Sequence, residues 1–259
     1  MVDTWIWLWL AVLIAITVIE LLGESRSQLA DRLMRWPANL GLFGLELATT
    51  AGLSAGLVMV ASAVPGDRFL AAIPFWLQAP LVLILFSFIT YWLHRFSHSQ
   101  PGLWRFHRVH HSDTIVDPTT SFRHHPGEVA FAFLALQVPI LLLHPSPQAV
   151  AIVAIMERCF AAATHTSLTL PPRVDHLLGL VFVTPQQHAI HHSDFQPETD
   201  SNFGTVLNIW DRLFGTYCAK PLRNAAQFRL GLTEIPAAKA EDLAVLLILP
   251  LRARDPWPK

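Results

Sequence analysis

The chain alternates long apolar runs with shorter polar ones, and the run lengths set the expected fold. Residues 4–22 carry one charge, Glu20, close to the end. About 19 helical residues cover the roughly 30 Å hydrocarbon core of a bilayer. This run has no basic leading segment and no small-residue cleavage site, so it reads as an anchor and not as a removed signal peptide. A second run, 40–64, is interrupted only by Glu46, and a third starts after Pro74 and passes through Trp92 into His94. Two shorter runs, 128–143 and 148–163, are separated by His144-Pro145-Ser146-Pro147. Proline breaks a helix, so this pair is expected to form a hairpin that dips into the membrane and returns. Residues 243–251 are too short to span and are expected on the membrane surface.

Composition narrows the class. Apolar residues make up 53% and charged residues 14%, against roughly 25% charged in a soluble domain. That excludes a disordered chain. A net charge of -1 without a basic block excludes a nucleic-acid partner. Cys159 and Cys218 are too few for a disulfide framework. The fold class is therefore all-α: a polytopic membrane bundle of about three full spans plus the hairpin, with a histidine-rich cap. Arg26, Arg32 and Arg35 follow the first span, and only Arg68 follows the second. Arg95, Arg105, Arg108 and Arg123 follow the third, none falls at the Pro145 turn, and nine lysines and arginines lie after Thr164. The positive-inside rule puts the cap and the C-terminus in the cytoplasm. Trp5, Trp7, Trp9, Trp36 and Trp104 fall at span ends, as an interfacial belt would.

All 13 histidines lie between positions 94 and 192. They include His94 and His98 as HxxxH, His107, His110 and His111 as HxxHH, and His188, His191 and His192 as a second HxxHH. Residues i, i+3 and i+4 share a helix face, so each motif is expected to aim two or three imidazoles at one point. Imidazole is a common ligand for iron, copper, zinc and nickel. Eight imidazoles exceed the needs of one ion and suit two, each with a vacant position. Thr184-Pro185-Gln186-Gln187 ahead of the last motif reads as a capping box with proline at the first helical position. Both HxxHH motifs continue to an aspartate, Asp113 and Asp194, which are expected to orient imidazoles by accepting the other ring N–H.

The arrangement HxxxH, HxxHH, HxxHH among membrane helices resembles the fatty acid hydroxylase and sterol desaturase superfamily of membrane di-iron oxygenases. The stretch FRHHPGE is similar to the family's R-x-H-P-x-E element, at Arg123, His125, Pro126 and Glu128. The stretch 184–217 resembles the family's C-terminal block, with Asn202-Phe203-Gly204 and Trp210-Asp211 in place. The likeness covers roughly residues 80–220. It implies two irons that activate O2 to hydroxylate or desaturate a C–H bond of a lipid. It also implies the ligands His94, His98, His107, His110, His111, His188, His191 and His192, with His165 as a further ligand and His125 as a ligand or a neighbour of one. His124, His144 and His176 match nothing in the family. The chain divides accordingly into an N-terminal membrane region, 1–73, a catalytic unit, 74–220, and a C-terminal tail, 221–259.

No nicotinamide or phosphate-loop motif is present in the sequence, so electrons are expected from an external reductase or small carrier. The partners expected are thus that donor and a lipid within the membrane, and the location a bacterial inner membrane. Two other classes compete. A zinc hydrolase predicts a glutamate base beside a histidine, as in HExxH, and the sequence has none. A haem electron-transfer protein predicts isolated histidines near mid-span, whereas these cluster at span ends. Among the remaining polar residues, Glu46 is expected to snorkel or to be partnered, Glu157 and Arg158 to pair with neighbours, and Asp211 to build a turn.

Overall fold

The computed structural model describes residues 2–22, 29–61, 70 and 73–252. Twelve α-helices follow in order: α1 (Val2–Leu22), α2 (Leu29–Ala61), α3 (Phe75–Ser99), α4 (Pro101–His111), α5 (Pro126–Leu143), α6 (Pro147–Thr164), α7 (Pro172–Leu178), α8 (Pro185–His191), α9 (Gln196–Thr199), α10 (Ile209–Leu213), α11 (Ala237–Ala240) and α12 (Leu243–Ile248). Among the described residues there is no β-strand beyond two isolated bridges. Proline stands in the first turn of α4, α5, α6, α7 and α8. There its missing N–H costs nothing and its fixed φ favours the helix.

Four helical stretches are long and apolar enough to cross a membrane: Leu29–Leu57, Phe75–Ser99, Pro126–Leu143 and Pro147–Thr164. Four helices of that length and composition make this an integral membrane protein. The expected helical hairpin forms, with longer arms than the apolar runs alone suggested. Each arm has 18 residues, about 27 Å of helix, enough to cross and not merely dip. His144 makes the turn with a left-handed backbone, φ 47°, and Ser146 caps α6 by accepting from Ala149 N–H. α1 spans 21 residues, the length the first run leads one to expect. Arg26, Arg68 and part of the expected second span lie outside the described residues.

The ends of α1, α2, α3, α5 and α6 meet at one side, pinned by buried charge. Glu20 accepts from Arg32 at 3.2 Å and from the backbone N–H of Ser167 at 2.7 Å. Arg35 donates to Asp113 and to Asp117, each at 2.5 Å. Arg123 donates to Val109 O, Asn39, Ser112 and Ala240 O. These arginines are at most 2% exposed, and removing one partner of such a pair costs about 3–5 kcal/mol. The tail joins the same core: Ala38 and Leu42 of α2 and Val109 of α4 pack with Ile235, Ala240, Leu246 and Leu249. α12 thus buries Leu246 beneath the cap while Ile248 remains exposed.

Glu46 does not snorkel. It is 2% exposed and pairs with Arg158 of α6. An intramembrane carboxylate is costly unless partnered, and α6 supplies the partner. Glu157, next to Arg158, keeps one buried oxygen without a hydrogen-bond partner.

Candidate metal centre

Nine imidazoles gather into two groups where the spans end. His94, His98, His107, His111 and His191 form one, and His110, His165, His188 and His192 the other. All nine are the residues expected from the sequence. Within each group the ligand atoms lie within 4.8 Å of one another. α3 supplies His94 and His98, α4 supplies His107, His110 and His111, and His165 follows the end of α6. Thr184 closes the expected capping box with Gln187, which starts α8 at the register that turns His188, His191 and His192 inward.

Each HxxHH brings two of its three imidazoles to one point, within the two or three expected. His107 and His111 enter the five-histidine group while His110 crosses to the other; His188 and His192 stay together while His191 crosses. Helix geometry explains it. At about 100° per residue, positions i and i+4 diverge by about 40°, whereas i+3 and i+4 diverge by about 100°. Each motif therefore serves two centres. The groups touch through His111 and His192, whose rings stack at 4.6 Å.

The donor set fits a metal. Nε2 atoms face one another at 3.1 Å for His98 and His111, 3.1 Å for His111 and His107, 3.3 Å for His165 and His110, 2.9 Å for His188 and His165, and 3.2 Å for His192 and His188. Nitrogens bound at ~2.1 Å to one ion lie roughly 3.0–3.4 Å apart. Nε2 of His94 and of His191 are buried without a hydrogen-bond partner, as ligand atoms of the five-histidine group would be before an ion satisfies them.

The carboxylates that touch these rings are not the expected ones. Asp113 accepts from Arg35, Thr120 and Asn39, and Asp194 pairs with Arg223. Both lie past the helix ends, where the chain turns toward arginines. Glu128 instead takes His107 Nδ1 at 2.6 Å, and Asp200 takes His98 Nδ1 at 3.2 Å. Glu128 stood in the quoted R-x-H-P-x-E element without a role. Asp200 carried no sequence signal, since only the fold brings it to His98. Two carbonyls complete the set: Phe203 O to His94 Nδ1 at 2.8 Å and Ser201 O to His191 Nδ1 at 2.7 Å. Asp211 holds their segment by accepting from the N–H of Phe203 and of Gly204, and its backbone carbonyl closes the expected turn by accepting from Thr216 N–H.

The other histidines fall outside both groups. His125 caps α5, accepting from Gly127 N–H at 3.0 Å, and its Nε2 meets Leu247 O, so it is not placed as a ligand. His124, which no pattern singled out, stacks on His110 at 4.6 Å and reaches Glu128 at 3.5 Å. His144 is at the hairpin turn and His176 on exposed α7.

Burial drives the electrostatics. Desolvation, reinforced by neighbouring imidazoles, holds His110, His111, His188 and His192 well below the ordinary histidine range. The same burial lowers His165 to about 4 and His191 to about 3. The rings are therefore neutral at pH 7, the form that binds metal. His124 moves the other way: burial opposes its charge, but Glu128 outweighs it.

A polytopic membrane protein with two buried polyhistidine groups at its span ends is a narrow class. The fatty acid hydroxylase family profile matches residues 79–216, more than half of the chain, and the chain belongs to that family. It is 28% identical over 204 residues to the ornithine lipid hydroxylase OlsE of Rhizobium tropici, covering 77% of this chain and 59% of that one. It is 34% identical over 127 residues to an alkylglycerol monooxygenase of Danio rerio, covering 49% and 27%. It is 28% identical over 138 residues to a very-long-chain aldehyde decarbonylase of Arabidopsis thaliana, covering 50% and 21%. The chain thus spans less than two thirds of each of these relatives. No solved structure matches it.

Proposed function

We propose that this protein is a di-iron oxygenase that hydroxylates or desaturates a C–H bond of a membrane lipid, using O2 and electrons from an external reductase or small carrier. The observation that carries the reading is the sorting of nine buried imidazole nitrogens into two adjacent groups at the ends of the spans. In this reading His94, His98, His107, His111 and His191 hold one iron, and His110, His165, His188 and His192 hold the other. Iron so bound supplies the activation of O2 that an unactivated C–H bond requires.

The chain's own residues do the rest. Neutral imidazoles hold the metals without loading a membrane-edge cavity with negative charge. Glu128, Asp200 and the carbonyls of Phe203 and Ser201 fix ring orientation from the Nδ1 side. Those carboxylates face away from the Nε2 side, so neither stands where a hydrolase base would. Trp104 and Phe203 pack against His98, walling water from the rings. The relatives' names, an ornithine lipid, an alkylglycerol and a very-long-chain aldehyde, favour a lipid substrate, reaching the centre along the spans without leaving the bilayer. Residues 74–220 form the catalytic unit, and the histidine side faces the cytoplasm of a bacterial inner membrane by the positive-inside rule.

Purified protein should carry about two irons per chain and no haem. Cells expressing it should gain an oxidised lipid absent from cells expressing His191→Ala. A metal-free protein, or unchanged lipids with iron and donor present, would overturn the reading. A tag after Lys259 should report the cytoplasm, and one at residues 65–67 the opposite side.

A further inference from the structure

The cap carries an apolar face that the metal centre does not use. Leu177 and Leu178 of α7, Leu180 and Val181 after it, and Ile209 and Leu213 of α10 are all exposed, Leu177 by 65% and Leu213 by 66%. The two segments are clamped into one body. Asn208 and Arg212 side chains donate to Gly179 O, Val183 N–H donates to Val206 O, and Phe182 bridges to Leu207. On α10 the polar residues are turned aside. Asp211 is buried, and the Arg212 guanidinium lies over the Tyr217 ring at 3.9 Å. Arg173 stands four residues before Leu177 and shares its side of α7, where its long side chain can reach up from the apolar face to the lipid headgroups.

The height of this body is fixed by its contacts with spanning helices. Trp210 donates to Ser87 Oγ at 3.1 Å, and its ring packs on Phe88 at 5.0 Å. Phe182 meets Phe160 of α6 at 5.3 Å. Ser87 precedes His94 by seven residues and Phe160 precedes His165 by five, which is about 10 Å and about 7 Å of helix on the bilayer side of the histidines. Ser87 is also the midpoint of α3. A face lying that far to the bilayer side of the span ends cannot be bathed in water unless the bilayer is displaced around it.

We propose that α7 and α10 form a monotopic wedge immersed in the lipid leaflet, so that the cap is partly embedded and not wholly aqueous. The occupant of the exposed face is the hydrocarbon of the bilayer, continuous with that around α3 and α6. Its depth matches the roughly 5–10 Å typical of interfacial helices. The wedge rests on the apolar spans and not on the oxygenase reading.

The test places single nitroxide labels on the full chain in phosphatidylcholine–phosphatidylglycerol vesicles, after Cys159→Ala and Cys218→Ser. Leu177→Cys and Leu213→Cys report the face, and Lys239→Cys reports an exposed position on α11. Collision with O2, which concentrates in lipid, is compared with collision with a water-soluble nickel chelate. The wedge predicts an oxygen-to-nickel ratio several-fold higher at 177 and 213 than at 239. Ratios equal to that at 239 would overturn it. Labels shielded from both reagents would also overturn it, by showing a protein-covered face. If either variant fails to fold, Ile209→Cys on the same face supplies the reading. Metal content enters nowhere, so a failed wedge and a failed oxygenase assignment are separable.

Discussion

The two histidine groups draw on the same helices, α4 and α8, yet they are held differently. In the five-histidine group, four rings are fixed through their second nitrogen: His94 by Phe203 O, His98 by Asp200, His107 by Glu128 and His191 by Ser201 O. In the four-histidine group only His165 is fixed so, by Ala161 O at 2.6 Å. Nδ1 of His110, His188 and His192 is buried without a hydrogen-bond partner. A partner on the second nitrogen sets tautomer and ring orientation and raises ligand basicity. One group would thus be organised before any ion arrived, and the other would rely more on its ion. Identical side chains at identical spacings make unequal sites because the chain behind them differs.

The largest effect tests whether the groups act as metal sites at all. His191→Ala and His110→Ala should each abolish product in a folded, membrane-inserted protein, by more than about 100-fold. Metal analysis should show His110→Ala depleting the four-histidine group while the other retains its ion. Normal turnover in both variants would sink the di-metal reading.

Removal of metal bears on the inequality directly. A chelator should strip the protein in two phases, and the fast one should belong to the four-histidine group. His110→Ala should lack that fast phase. A single phase in the unmodified protein would erase the distinction between the sites.

Smaller changes grade the anchors within the better-organised group. Glu128→Gln should weaken its metal affinity by about 10–100-fold, because Glu128 is close to His107 and only 14% exposed. Asp200→Asn should cost less, its carboxylate being 34% exposed and 3.2 Å from His98. The reverse order, read by metal titration, would mean that distance and burial do not set the strength of an anchor. Least affected should be the histidines outside both groups. His125→Ala should lower thermal stability by about 1 kcal/mol through loss of a helix cap, with metal content unchanged. His144→Ala, at the far turn, should change neither.

Much of this was legible in the chain. Apolar run length located the spans, and i, i+4 spacing paired His94 with His98, His107 with His111 and His188 with His192. Thr184-Pro185-Gln186-Gln187 announced the start of α8. What spacing could not show was which group the middle histidine of each HxxHH joins, because that depends on where neighbouring helices place the second group. Asp113 and Asp194 misled for a similar reason: proximity along the chain put them near the rings, but Arg35 and Arg223 compete for them in space. Asp200 was invisible because it meets His98 across 102 residues. The tail's place in the core was equally hidden, since its apolar residues 243–251 suit a membrane surface as well as the protein interior they partly occupy.

The crossing of His110 and His191 has a consequence for the order of assembly. A short helix with one handle on each of two ions has its rotation fixed once either ion is in place. Filling the first centre therefore takes up, in advance, part of the ordering entropy that the second would otherwise have to overcome. Loading should then be positively cooperative, with chains carrying one ion scarcer than independent filling would give. With groups this unequal, the five-histidine group would fill first, and its ion would ready α4 and α8 for the other.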